Sequence, residues 1–103
     1  MHVAGTVPFD TEQNVVGIGD MRAQVLKILE NLEISLNAGG AGRADVVRIN
    51  VFAVDVDAYV ADGAPEVIAY FGDTKPASTT VQVARLVHPD WLVEIEATAI
   101  IDG

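Results

Sequence analysis

Val25, Ile28, Leu29, Leu32 and Leu36 recur at three- and four-residue steps, so they fall on a single stripe of a helix. Asp20 stands ahead of the stripe, where a carboxylate can accept from the free amides of a first turn. Gly39-Gly40 ends it as helices commonly end. The spacing predicts a helix over residues 20–38. A helix apolar on one side must cover that side with another layer. The segments able to supply that layer are β-branched: Asp45 to Val54, Ser78 to Leu86 and Trp91 to Ile101 read as strands, with a shorter one over His2 to Val7 before Pro8.

Between these, Thr11 to Gly19 is a polar connection, and Asp55 or Asp57 opens a second helical stretch. Gly63 and Pro65 interrupt it, Pro65 at a first-turn position where its missing N–H costs nothing. Val67, Ile68 and Phe71 are expected to face the core, and Gly72 to Pro76 form a loop. Val87-His88-Pro89-Asp90 has the chemistry of a turn and predicts a hairpin between the last two strands. Read with period two, Val81 and Val83 share a face, as do Val93, Ile95 and Ala97, and these faces should lie under the helices. The opposite faces carry Ser78, Thr80 and Gln82, and Glu94, Glu96 and Thr98. A polar face on strongly β-forming strands is wet, lines a pocket, or meets another subunit. With no repeat, low-complexity segment or second composition, residues 1–103 read as one domain.

A chain of 103 residues buries only about 60–65% of its unfolded surface. Yet half its residues are apolar and the mean hydropathy is +0.34, which points to apolar surface covered by a partner subunit. Acidic residues outnumber basic ones 15 to 6, for a net charge of −9. The cations Arg22, Lys27, Arg43, Arg48, Lys75 and Arg85 are scattered singly, whereas nucleic-acid binding needs them clustered. Neither nucleic acid nor a membrane is therefore an expected partner. With no cysteine there is no disulfide, thiol nucleophile or thiolate metal site. No apolar run approaches the ~20 residues of a membrane span. Met1 to Asp10 lacks the basic-then-apolar pattern of a signal peptide, so the cytoplasm is the expected location.

Several local motifs are more specific. Val3-Ala4-Gly5-Thr6-Val7-Pro8 resembles the strand-ending "SGQxP" segment of the RidA/YjgF family of reactive-intermediate deaminases. Leu29 to Gly39 resembles that family's first helix, and Val51-Phe52 followed by Asp55 its "VFxxD" strand. The run Lys75 to Leu86 resembles its "PARSxVxVxxL" signature, and Val93-Glu94-Ile95-Glu96-Ala97 its "IEIEAIA". The resemblance spans nearly the whole chain. It implies an α+β, chorismate-mutase-like subunit: a curved mixed sheet with two helices on one face, assembled into a homotrimer with ligand clefts between neighbouring subunits. It also implies that the family's first strand, with the pocket aromatic it supplies, precedes the start of this sequence or is absent. At the place of the family's substrate-gripping arginine stands Ser78, and an asparagine of its second helix falls on Ala64. A serine hydroxyl offers one neutral hydrogen bond and cannot replace a bidentate cation. Glu94 keeps the place of a carboxylate beside the reacting water, and Gly5 lies in backbone that lines the cleft.

Each candidate has a plainer reading beside it. Ser78, Thr79 and Thr80 could hold a nucleophile, but activation needs a base, only His2 and His88 are on offer, and hydroxyl runs often start strands. Glu94 and Glu96 share a strand face about 7 Å apart, a spacing suited to acid/base work or to two solvated carboxylates. Gly39-Gly40-Ala41-Gly42 follows a helix rather than opening one, so it is a cap and linker rather than a phosphate loop. Arg85 reads as a structural ion pair at a strand end, and Trp91 as an interface anchor or a core aromatic. Two histidines with scattered carboxylates match no metal motif, and no cofactor is implied.

The ligand-binding candidates are therefore Gly5, Ser78, Thr80 and Glu94, with no catalytic residue assigned. Ser78, Thr80 and Glu94 are expected to line one cleft at a subunit boundary, because a hairpin would make their strands neighbours; side chains pointing to different surfaces would contradict that. A cleft with a carboxylate and hydroxyls but no obligatory cation should favour a neutral or cationic ligand, unless Glu94 pairs with a base such as Arg48 and closes it. Three classes of function follow: an imine or enamine deaminase, disfavoured by Ser78; a binding or divergent enzymatic role for a small polar metabolite in that cleft; and a purely structural or partner-binding oligomer. The second is the reading adopted.

Overall fold

A computed structural model describes residues 1–101. Strand β1 (His2–Thr6) leads through a loop into helix α1 (Met21–Ala38). Asp20 caps that helix as expected, its carboxylate accepting from the Ala23 amide at 3.0 Å. At the far end Gly40 takes a positive φ of 83° and Ala41 N–H reaches back to Leu36 O at 2.8 Å, closing the last turn. Strand β2 (Val46–Ala53) follows, and Asp55 caps the next helical run by accepting from Ala58 N–H at 3.1 Å. That run comprises α2 (Val56–Ala58), a π-helical stretch Tyr59–Gly63 and α3 (Ala64–Phe71), without a break. Pro65 sits in the first turn of α3, and one loop of the ladder widens: Ala64 N–H reaches five residues back to Tyr59 O. Gly63 is needed there, since a Cβ would stand 2.9 Å from Val25 Cγ2 of α1 and 2.7 Å from the Tyr59 ring. Strands β3 (Ala77–Gln82) and β4 (Val93–Ala99) complete the α+β fold.

The sheet is mixed, in the order β1-β4-β2-β3, with β2 parallel to β3 and antiparallel to β4. The helices cover one face. The stripe Val25, Ile28, Leu32 and Leu36 is fully buried against Val51, Ile95, Val93 and Ala99. Alternate residues of β4 are buried, as their period-two pattern requires. The other face carries Phe52, Val81, Arg48, Asn50, Glu94, Glu96 and Thr98 and has no helix over it. Among the described residues no helix is long and apolar enough to cross a membrane.

Three expectations are corrected. The last two strands do not form a hairpin: β2 lies between them, and residues 83–92 carry the chain across its end, where Val83 N–H donates to Ala53 O and Val54 N–H to Leu92 O. The turn at His88 is real, with Trp91 N–H on His88 O at 3.1 Å, but it leads into a clamp rather than a ladder. Gln24, fully buried on α1, donates to Asp90 O at 2.9 Å and to Gly17 O at 3.1 Å, and accepts from Leu92 N–H at 2.8 Å. Second, the faces of β3 are reversed: its register with β2 places Ser78 and Thr80 beside buried Ile49 and Val51, and turns Val81 outward at 42% exposure. Third, Ile68 is 71% exposed, because Val67 and Phe71 occupy the inward side of α3 and Ile68 overhangs the open edge beside β3.

Candidate functional site

The covered face of the sheet is not fully closed at its β3 edge. A groove of about 340 Å³ remains between α3 and β3, walled by Ile49, Tyr59, Val67, Ile68 and Phe71. Ala64, Ser78, Thr80 and Lys75 also line it. Burial pushes the Tyr59 phenol up to about 12, so it remains a neutral group at ordinary pH. Lys75 supplies a cation that the sequence reading did not place here. Its backbone lies at φ 44° and ψ 62°, in the left-handed region and directly before Pro76. The residue before a proline favours extended backbone, and non-glycine residues held off the common regions cost of order 1–3 kcal/mol.

Gly5 and Glu94 lie elsewhere. Val3 pairs with Ala97 and Thr6 with Ile95, so Ala4 and Gly5 together stand opposite the single residue Glu96, as a bulge. There the Glu94 carboxyl rests on Gly5, where a Cβ would be 2.6 Å from Glu94 Cδ. Loss of water around Glu94, and secondarily the charge of Glu96, raise its pKa above the ordinary carboxylate value. Arg48 does not neutralise it: Glu94 is in register with Phe52, and Arg48 with Thr98. Among the described residues the ion pairs are Arg22–Glu66, Lys27–Glu30 and Arg43–Glu33. Glu96 is engaged differently, accepting from Asn50 Nδ2 at 2.7 Å. The two carboxylates are thus in different settings: Glu96 accepts from an amide, and Glu94 is half-buried against Gly5.

These two sets of residues point to opposite faces. Paired residues in a sheet project to the same side. Ser78 is in the row of Ile49 and Ala97, and Thr80 in that of Val51 and Ile95, all on the helix side. Glu94 shares its row with Phe52 and Val81 on the uncovered side. One copy of the chain therefore cannot bring Ser78, Thr80 and Glu94 into one cleft. The expectation fails on two counts: it took apolar Val81 and Val83 as the covered side of β3, where the register turns Ser78 and Thr80 inward and Val81 outward, and it rested on a hairpin where β2 separates the strands.

The remaining candidates resolve as follows. Neither histidine lines the groove of Ser78 and Thr80, so no imidazole base serves their hydroxyls within one copy. His2 Nδ1 is 3.0 Å from Thr98 Oγ1, and His88 Nδ1 accepts from Asp90 N–H. Among the described residues Arg85 has no ion-pair partner, and it donates to the carbonyls of Leu86 and Val87 at 3.1 Å. Trp91 is half-buried under His88, with ring centroids 5.5 Å apart, and its buried indole N–H has no acceptor among the described residues. Sequence reasoning missed Lys75 in the groove, Asn50 on Glu96 and the Gln24 clamp. Only Lys75 carried a signal, a lysine placed immediately before a proline.

Residues 1–101 match the model of the family described as Endoribonuclease L-PSP. A RutC family protein of Pyrococcus horikoshii is 37% identical over 100 residues, covering 96% of this chain and 77% of its own length. Among solved structures, the conserved Rid protein family member YyfB of Yersinia pestis superposes with a TM-score of 0.91 at 35% identity, over 98% of this chain and 77% of that one. RidA from an Antarctic Psychrobacter gives 0.88 at 30% identity, over 97% and 79%.

Proposed function

The chain belongs to the endoribonuclease L-PSP family, the RidA/YjgF group, and from that premise we propose that it binds a small polar metabolite in a cleft between copies of a homotrimer. The observation that carries this is the uncovered sheet face where the Glu94 carboxyl meets Gly5; the division of the candidates between two faces overturns a cleft within one chain and leaves only one shared between copies. Ser78 and Thr80 open onto a groove at the β3 edge, and Gly5 with Glu94 sits on the face without helices. Each set is half a site, and a second copy is what can supply the other half. The uncovered face, with Phe52 and outward Val81, is the surface such a copy would cover.

Within this reading the groove holds the body of the ligand. Glu94 of the adjoining copy faces its polar end, where a carboxyl of raised proton affinity can hold or accept a proton. Efficient imine hydrolysis of the deaminase kind is not expected, because Ser78 cannot fork a carboxylate as arginine does. A nuclease role fits poorly with a net charge of −9. The cytoplasm is the proposed setting. Light scattering on the eluting protein should give about three times the 10.9 kDa chain mass, and a stable monomer at micromolar concentration would overturn the proposal. A coupled assay with 2-aminoacrylate should show no ordinary deaminase turnover.

A further inference from the structure

A second hollow, of about 420 Å³, lies between the loop after β1 and the turn before β4 and shares no residue with either set of candidates. The loop contributes Val7, Phe9, Gln13 and Val15 to its walls, and the turn contributes His88 and Trp91. Both walls hang from one side of α1 by side-chain amides two turns apart. Asn31 donates to the carbonyls of Val7 and Phe9 at 3.0 and 2.9 Å. Gln24 holds Asp90 O and Leu92 N–H on either side of Trp91. The loop is braced internally as well: Phe9 bridges Val15, and the Asp10 carboxylate accepts from the amides of Glu12 and Asn14, both at 2.9 Å. This bracing keeps Gln13 at φ 65°, in the left-handed region that a non-glycine residue enters at a cost. Strain of that kind persists where the surroundings fix it, and it gathers at ligand clamps.

The walls are aromatic and apolar, and in a chain of net charge −9 they include no carboxylate, lysine or arginine. Their hydrogen-bonding groups are mostly donors. The Trp91 indole N–H is buried with no acceptor among the described residues. His88 Nδ1 accepts from Asp90 N–H at 3.0 Å, so the neutral imidazole carries its proton on Nε2. The Gln13 amide adds both a donor and an acceptor. We propose that this hollow binds an uncharged, planar heteroaromatic ring that bears a hydrogen-bond acceptor. Phe9 and Trp91 offer the ring faces and edges on which such a ring packs, and the donors of the polar wall meet its acceptor. A charged ligand would give up water without finding an opposite charge in the walls. The site is contained in one copy of the chain and is independent of the cleft between copies.

Trp91 is the only tryptophan of the chain, so its emission reports on this wall. Calorimetry and Trp91 emission, on the full chain in its native assembly at mildly alkaline pH, test the proposal with nicotinamide, its anionic relative nicotinate and its cationic relative 1-methylnicotinamide. Nicotinamide should bind saturably, with a change in Trp91 emission that saturates in parallel. Each charged relative should bind about tenfold or more weakly. Phe9→Leu keeps the wall apolar and removes the ring, and should weaken nicotinamide about fivefold. Gln13→Gly removes the amide while glycine keeps the left-handed backbone, and should also weaken it about fivefold. Melting curves establish that both variants are folded. Ser78→Ala, in the other groove, should leave the affinity unchanged. No saturable binding, equal affinity for the three probes, emission that does not follow binding, or full affinity in Phe9→Leu or Gln13→Gly overturns the proposal. Loss of binding in Ser78→Ala also overturns it, because the ring would then lie in the β3 groove.

Discussion

Gly5 and Glu94 are shaped to each other: the carboxyl of Glu94 occupies the space a side chain at residue 5 would fill, with Cδ only 2.6 Å from the position of a Cβ. The bulge that brings Gly5 there lies between the Val3–Ala97 and Thr6–Ile95 pairs. Gly5 keeps a negative φ, so glycine is required there by the close approach of Glu94 and not by its own backbone.

Gly5→Ala should therefore displace Glu94 and leave the fold nearly intact. The clashing atoms are the end of a flexible side chain, so the stability loss should stay below about 1 kcal/mol. Binding of a ligand that touches Glu94 should fall much further. Chemical denaturation and calorimetry on the same variant separate the two effects.

Glu94→Gln should stabilise the protein at neutral pH. The folded state raises the pKa of Glu94, so it binds that proton more tightly than the unfolded chain does. The ionised form is thus penalised as pH rises from the ordinary carboxylate value through the raised one, and stability falls over that window. The gain from Gln should be below about 1 kcal/mol, because the group is only partly buried and water screens it. It should vanish when the pH is taken below the ordinary carboxylate value. Denaturation of both proteins at several pH values checks the sign.

Lys75→Gly should raise stability by up to about 1 kcal/mol, since glycine takes a left-handed backbone without steric cost, offset by greater freedom when unfolded. A loss of stability would show that the lysine backbone is not strained.

Gln24→Leu should destabilise by about 2–3 kcal/mol. The side chain is fully buried and satisfies Leu92 N–H and the carbonyls of Asp90 and Gly17, and leucine leaves all of them without that partner. Urea denaturation should show a lower midpoint with an unchanged slope.

The helical stripe, both aspartate caps and the buried side of β4 were legible because each is a local pattern: period 3.6, a carboxylate before a first turn, and period two. Strand order was not. Val87 to Asp90 contains a real turn, but whether a turn closes a hairpin depends on which strand lies beside it, and β2 won both neighbours. A separate error, taking apolar Val81 and Val83 as the covered side of β3, inverted that strand and placed Ser78 with Glu94. Lys75 escaped notice because its groove exists only once α3 packs short of the sheet edge. The resemblance located the candidate residues, and the register showed which of them one chain can bring together.

The division of the site between copies is open to direct test, because the chain has no cysteine. Ser78→Cys and Glu94→Cys can be introduced together and treated with a short bismaleimide. Within one copy the two positions lie on opposite faces of the sheet, so a short linker cannot join them. Covalent dimers and trimers are expected from the double variant, and dimers from a mixture of the two single variants. Cross-links confined to single chains, or none in the intact assembly, would contradict it.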